Sequence, residues 1–183
     1  MDSAAIVNDI MACSDTITAY HFFRANHEET LLDVLRHISH QLLSQPTAVS
    51  QVAIDICEKK ITRNASLLLK DLVDVICDVS VASGRTYIIL DGVDEFSHFK
   101  KLLKYLPQLV AAKAKVIISS RELPCITIHM KNVTLVDARA ERHDTELYVN
   151  WRLDEESEVD EDLLSDDLKR DIVSKLVEQA DGS

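Results

Sequence analysis

Apolar residues recur along the chain with two different periods, and the switches between them mark out the elements. From Glu28 to Gln45, Leu31, Leu35, Ile38 and Leu42 fall on one helical stripe, and Pro46 marks its end. The same spacing predicts helices over residues 4–13, from Ala48 to Lys60, and from Ser66 to Val79, the last carrying Leu68, Leu72, Val75 and Val79 before Ser83-Gly84 breaks the chain. Ile17 to Phe23, rich in β-branched and aromatic residues, reads as a buried strand. Thr86 to Leu90 is apolar without alternation, the pattern of a strand covered on both faces, and Lys115 to Ser119 repeats it. Between them Phe99, Leu102, Leu103, Leu106 and Val110 keep helical spacing, with Pro107 predicted to kink that helix or start a new turn. Ile126 to His129 and Val133 to Val136 are short strand candidates, and Asp144 to Leu153 a helix. Strands alternating with helices predict an α/β fold with a mostly parallel sheet.

Composition narrows the partners. The 183 residues suit one domain of ordinary size, and 46% hydrophobic with 28% charged residues is the balance of a globular chain. A net charge of -11 argues against nucleic acid or an anionic membrane surface as the main partner, since both demand basic patches. Cys13, Cys57, Cys77 and Cys125 show no paired spacing for zinc or a disulfide framework and read as free thiols of a reducing compartment. With no signal peptide and no apolar run of membrane length, the cytoplasm is the expected location. Nine carboxylates between Asp154 and Asp167 read as a solvated linker. The expected organisation is therefore a domain over 1–153, a linker over 154–167 and the start of a helical region over 168–183.

Parallel α/β sheets place ligand chemistry at the carboxyl ends of their strands, where Asp91 and Arg121 both fall. A carboxylate at a strand tip suits Mg²⁺, which takes hard oxygen ligands and keeps several waters. Asp94 and Glu95 could orient or deprotonate a water that attacks a phosphate, and the Arg121 fork matches phosphate oxygens. The bland alternative is that Asp91, Asp94 and Glu95 cap the helix that follows. A third reading is a metal-dependent hydrolase built on these three acids alone. The histidines offer no metal constellation; His37 and His40 share a helical face and lack a third ligand.

The segment Ile88-Ile89-Leu90-Asp91-Gly92-Val93-Asp94-Glu95 resembles the Walker B signature of NACHT domains, the NTPase modules of STAND-class signalling proteins. Val116-Ile117-Ile118-Ser119-Ser120-Arg121 is similar to their sensor strand, with Glu122 and Leu123 interposed before Pro124. Tyr20-His21-Phe22-Phe23 and the helix Leu31 to Leu43 resemble the fungal, nephrocystin-like N-terminal subgroup of NLR-like proteins, as do Asp144 to Trp151 and Ile172 to Gly182. The resemblance implies a P-loop NTPase of the ASCE type, a three-layer sandwich in which Asp91 holds Mg²⁺, Asp94 and Glu95 are catalytic, and Arg121 with Ser120 contacts ATP or GTP. It also implies protein partners or self-association through NACHT surfaces.

One family feature has no counterpart here. The phosphate-binding loop needs glycines and a lysine, yet the only glycines are Gly84, Gly92 and Gly182, the first lysine is Lys59, and no Gly-Lys pair occurs. The expectation is a partial domain without its first strand and phosphate loop, unable to bind or hydrolyse ATP alone, whose role is interaction or regulation. The alternative is a working switch whose loop comes from an upstream exon or another chain.

Overall fold

A computed structural model describes residues 3–13, 15–45, 51–121, 126, 128, 133–136, 142–159 and 165–181. These fall into two compact units, residues 2–134 and residues 135–183.

The first unit runs α1 (Ser3–Met11), β1 (Ile17–Phe22), α2 (Leu31–Leu43), α3 (Gln51–Thr62), α4 (Leu69–Ser83), β2 (Thr86–Asp91), a 3-10 turn (Val93–Glu95), α5 (Phe99–Leu103), α6 (Leu106–Ala111) and β3 (Lys115–Ile118). Local chemistry sets several boundaries. At the start of α2 the Asp33 amide donates to the Thr30 hydroxyl at 3.3 Å while the Thr30 amide donates to the Asp33 carboxylate at 3.1 Å, a reciprocal cap. Gly84 ends α4 in the left-handed region, φ 67°, where a side chain would be strained. Pro107, in the first turn of α6, separates that helix from α5, so the helical spacing over 99–110 belongs to two helices. Pro46 lies outside the described residues.

The sheet has three strands in the order β1-β2-β3, all parallel. Ile17 to Phe22 pair with Thr86 to Asp91, and Tyr87 to Leu90 with Lys115 to Ile118. This is the expected α/β class. Helix α2 packs on β1 and on α4, α4 on β2, and α6 on β3. The cluster between these helices and the sheet holds Val34, Leu35, Ile38 and Leu42 of α2, Leu72 and Ile76 of α4, and Ala19, Ile88 and Leu90 of the strands, all buried. Ile89 alternates away from Ile88 and Leu90 yet is only 2% exposed, so the second face of the central strand is covered too. Helix α1, with Val7 buried, packs on β1 and β2.

Two strand expectations do not hold. Ile126 and Ile128 have helical backbone, and Val133 to Val136 have no regular structure and are exposed. Short β-branched runs form strands only where a ladder and a packing surface receive them. The remaining residues of 126–129 lie outside the described part.

The second unit contains α7 (Arg142–Val159) and α8 (Asp166–Asp181), which pack on each other with Val149 and Val177 buried. The Lys169 ammonium lies 3.2 Å from the Asp154 carboxylate and ties the two helices together. The acidic stretch read as a linker is thus helical through Val159, and residues 160–164 are outside the described set. No helix among the described residues is long and apolar enough to cross a membrane.

Candidate functional site

Strand register assembles the site. Leu90 pairs with Ile118, so the next step along each strand sets Asp91 beside Ser119. The Ser119 hydroxyl donates to the Asp91 carboxylate and accepts the Gly92 amide at 2.9 Å. Gly92 takes φ +70°, and a Cβ there would meet the Phe23 carbonyl oxygen at 3.4 Å. The left-handed backbone favours glycine at this elbow, while the carbonyl contact alone would admit a Cβ. The elbow feeds the 3-10 turn, whose Val93 amide donates to the Ser119 carbonyl at 3.1 Å and so stays attached to the end of β3.

That turn delivers Asp94 and Glu95 to Arg121. The Arg121 backbone amide donates to Asp94 Oδ1 at 3.2 Å, its Nε to Asp94 Oδ2 at 2.5 Å, and its Nη2 to Glu95 Oε1 at 2.6 Å. One guanidinium thus spans two carboxylates. Asp94 is the more enclosed acid, its side chain 11% exposed, while the Arg121 side chain is 77% exposed and closes the cluster from the solvent side. Burial raises the Asp94 pKa, but side-chain and backbone hydrogen bonds from Arg121 outweigh it and hold the carboxyl below the ordinary carboxylate range. The hydrogen bond and charge of Asp94, with the charge of Glu95, raise the Arg121 pKa.

A depressed folded-state pKa means that this contribution to stability is present above the unfolded value, about 3.9 for aspartate, and is lost as pH falls through the folded one. Arg121→Ala removes the side-chain hydrogen bond and the positive charge while keeping burial and the residue-121 amide, so the Asp94 pKa is expected to rise. Carboxyl-carbon NMR reads this directly, and an unmoved Asp94 would show that Arg121 is not its main partner.

Asp91, Asp94, Glu95 and Arg121, all singled out in the sequence, therefore share the carboxyl ends of β2 and β3. Ser120 does not reach Asp91; its hydroxyl turns to the Arg121 carbonyl. The hydroxyl at the strand tip is that of Ser119, which the sequence reading passed over. Strand alternation was the available signal, since Ser119 continues the face of Ile117.

One strand-tip carboxylate suits Mg²⁺ that also binds phosphate and water, so Asp91 fits that role as a single ligand. Among the described residues no group of three His, Cys, Asp or Glu side chains could hold a metal by itself. The arrangement can hold a cation at Asp91 and, were Arg121 released from the acids, an anion at its guanidinium.

Fold and site together define an α/β protein with a parallel sheet and a cluster of acids and one arginine at the carboxyl ends of its strands. The sequence matches the family model described as Nephrocystin 3, N-terminal, over residues 2–121. The chain belongs to this family. No curated protein and no solved structure gives a match.

Proposed function

We propose that the chain is a NACHT-type NTPase segment of an NLR-like signalling protein of the STAND class and fungal subgroup, which on its own neither binds nor hydrolyses ATP and acts through interaction or regulation. The observation that carries this reading is the pairing of Arg121 with both Asp94 and Glu95. In an active site of this class the acids position a water and the arginine contacts phosphate. Here they neutralise one another. The 183 residues contain no Gly-Lys pair that could cradle phosphate.

The second reading is a working ATP or GTP switch whose phosphate loop is supplied by an upstream segment or another chain. It is favoured by the position of Asp91, held by Ser119 at the tip of β2 next to the acid pair. Asp91 would then hold Mg²⁺, which would supply charge neutralisation at the phosphates. Asp94 or Glu95 would orient water, and Arg121 would turn from the acids to the phosphate.

Calorimetry with Mg-ATP and Mg-GTP separates the two when it is run both on the chain alone and on a longer chain that carries its upstream segment. The chain is expected to give no binding heat, and Asp91→Ala to change nothing. Tight binding that Asp91→Ala abolishes would establish the second reading instead.

A further inference from the structure

The chain carries 31 acidic and 20 basic residues, yet three cations meet at the corner where α3 gives way to α4. An open cavity of about 290 Å³ there is lined by Ile56, Lys59, Lys60, Arg63, Ala65 and Asp71. The Lys60 ammonium lies 2.8 Å from the Asp71 carboxylate, which also accepts the Leu68 amide at 2.7 Å. That pair neutralises one cation and the cavity's one acid. Lys59 and Arg63, both exposed, have no carboxylate within ion-pair distance among the described residues. The cavity is left with surplus positive charge on two residues one helical turn apart.

The loop that leaves this corner carries a hydroxyl at the cavity's rim. Asn64 takes φ 47°, in the left-handed region that asparagine tolerates, and the Ala65 amide donates back to the Lys60 carbonyl at 3.0 Å, so α3 ends there. Ala65 lines the cavity, and at the far end of the loop Leu68 is bonded to Asp71, which lines it too. Ser66 lies between these two tethers, about 3.8 Å of chain beyond Ala65. It is exposed and outside any helix or strand, and its hydroxyl bonds to no other described residue.

Arg63 stands three residues before Ser66. The acidic substrate grooves of basophilic protein kinases read an arginine at that spacing, and they take the substrate extended, which an exposed loop allows and a packed helix does not. The same spacing recurs at Arg36 and Ser39 and at Arg142 and Thr145. Ser39, however, is 4% exposed inside α2, and Thr145 is half-buried inside α7. Spacing selects three hydroxyls, and exposure in a loop leaves Ser66.

We propose that Ser66 is a phosphorylation site and that the cavity of Lys59, Lys60 and Arg63 receives its phosphate. In the transfer the Ser66 Oγ attacks the γ-phosphorus of ATP bound to a protein kinase, the bond to the ADP oxygen breaks, and the hydroxyl proton passes to the kinase's base. The product carries a charge of about -1.5 to -2 and three acceptor oxygens. Lys59 and Arg63 supply charged donors to them, and Lys60 is shared with Asp71. The phosphate thus joins the end of α3 to the start of α4, a junction otherwise held by the Lys60 and Asp71 pair. The modification goes beyond the nucleotide reading and does not depend on it.

The full chain, incubated with a basophilic serine kinase and Mg-ATP, is expected to take phosphate at Ser66. Peptide mass spectra should show Ser39 and Thr145 unmodified, and Ser66→Ala should lose the incorporation. Phosphorus NMR of the product reads the cavity. The phosphate is expected to titrate below its usual second pKa of about 6, because the cations favour its doubly charged form, and to return towards that value in Lys59→Ala. Lys59 is exposed and lies outside the spacing the kinase reads, so this variant keeps the fold and the phosphorylation. No incorporation at Ser66, phosphate at Ser39 or Thr145 in its place, or a phosphate that titrates at its usual value and ignores Lys59→Ala would each overturn the proposal.

Discussion

Leu35→Ala is expected to destabilise the first unit by about 3 kcal/mol, read as a lower urea midpoint at unchanged slope. Leu35 is fully buried at the centre of the α2 stripe, and α2 is the helix that packs on both β1 and α4. Truncation removes transfer energy and leaves a cavity in a cluster to which α4, β1 and β2 also contribute, elements that cannot all collapse inward. Leu35→Met, which keeps the volume, should cost less than about 1.5 kcal/mol. Leu43→Ala, on the exposed end of the same helix, should change stability by about 0.5 kcal/mol or less. Equal losses at positions 35 and 43 would mean that this stripe does not seat α2 on the sheet.

Gln45→Leu is expected to cost about 2–4 kcal/mol, a large effect for replacing one polar residue just past the end of α2 by an apolar residue of similar size. Thr18 is 4% exposed, and the substitution leaves its amide and its carbonyl without the carboxamide that serves both. Gln45 Nε2 also donates to the Gln41 carbonyl at 2.9 Å, so the two glutamines are linked and the double replacement should cost less than the sum of the singles. Gln45→Glu keeps the acceptor and sets a carboxylate against the Thr18 carbonyl. Its folded-state pKa is then raised, so the destabilisation should be relieved as pH falls and the acid regains a donor. A Gln45→Leu variant of unchanged urea midpoint would show that solvent, rather than the carboxamide, satisfies the strand.

Much of this fold is legible in the sequence because burial imposes period. Leu31, Leu35, Ile38 and Leu42 form a helical stripe, and all are buried. The unalternated Thr86 to Leu90 is the central strand. Lys115 to Ser119 has the same character and lies at an edge, because an apolar run reports what covers the two faces of a strand and is silent about its neighbours in the ladder. Ile126 to His129 and Val133 to Val136 mislead for a related reason: β-branched residues suit a strand and do not supply its partner.

The site divides along similar lines. Asp91 and Arg121 were readable as strand-end residues, since strand ends follow from the apolar runs. The closure of Arg121 on Asp94 and Glu95 was not, because it depends on the left-handed turn at Gly92 and on register across residues 27 and 26 positions apart. Nor could the sequence choose between Ser119 and Ser120, adjacent hydroxyls of which only one shares the Asp91 face. Gln41 and Gln45 escaped notice altogether, because polar residues on an amphipathic helix read as solvent-facing until the strand beside them is in place.

The carboxamides along β1 give that strand a property unusual for its position. Peripheral strands normally surrender their outward amide protons to water within the lifetime of small openings, while interior strands hold theirs until the unit opens as a whole. Thr18 and Tyr20 are bonded outward to Gln45 and Gln41, and Ile17, Ala19 and His21 inward to β2, so from Ile17 to His21 no amide is left to solvent. Deuterium should therefore enter residues 17–21 of β1 as slowly as β2, with no alternation from residue to residue, and faster exchange should begin only at Phe22. The sheet's periphery, in exchange terms, begins one helix further out than its last strand.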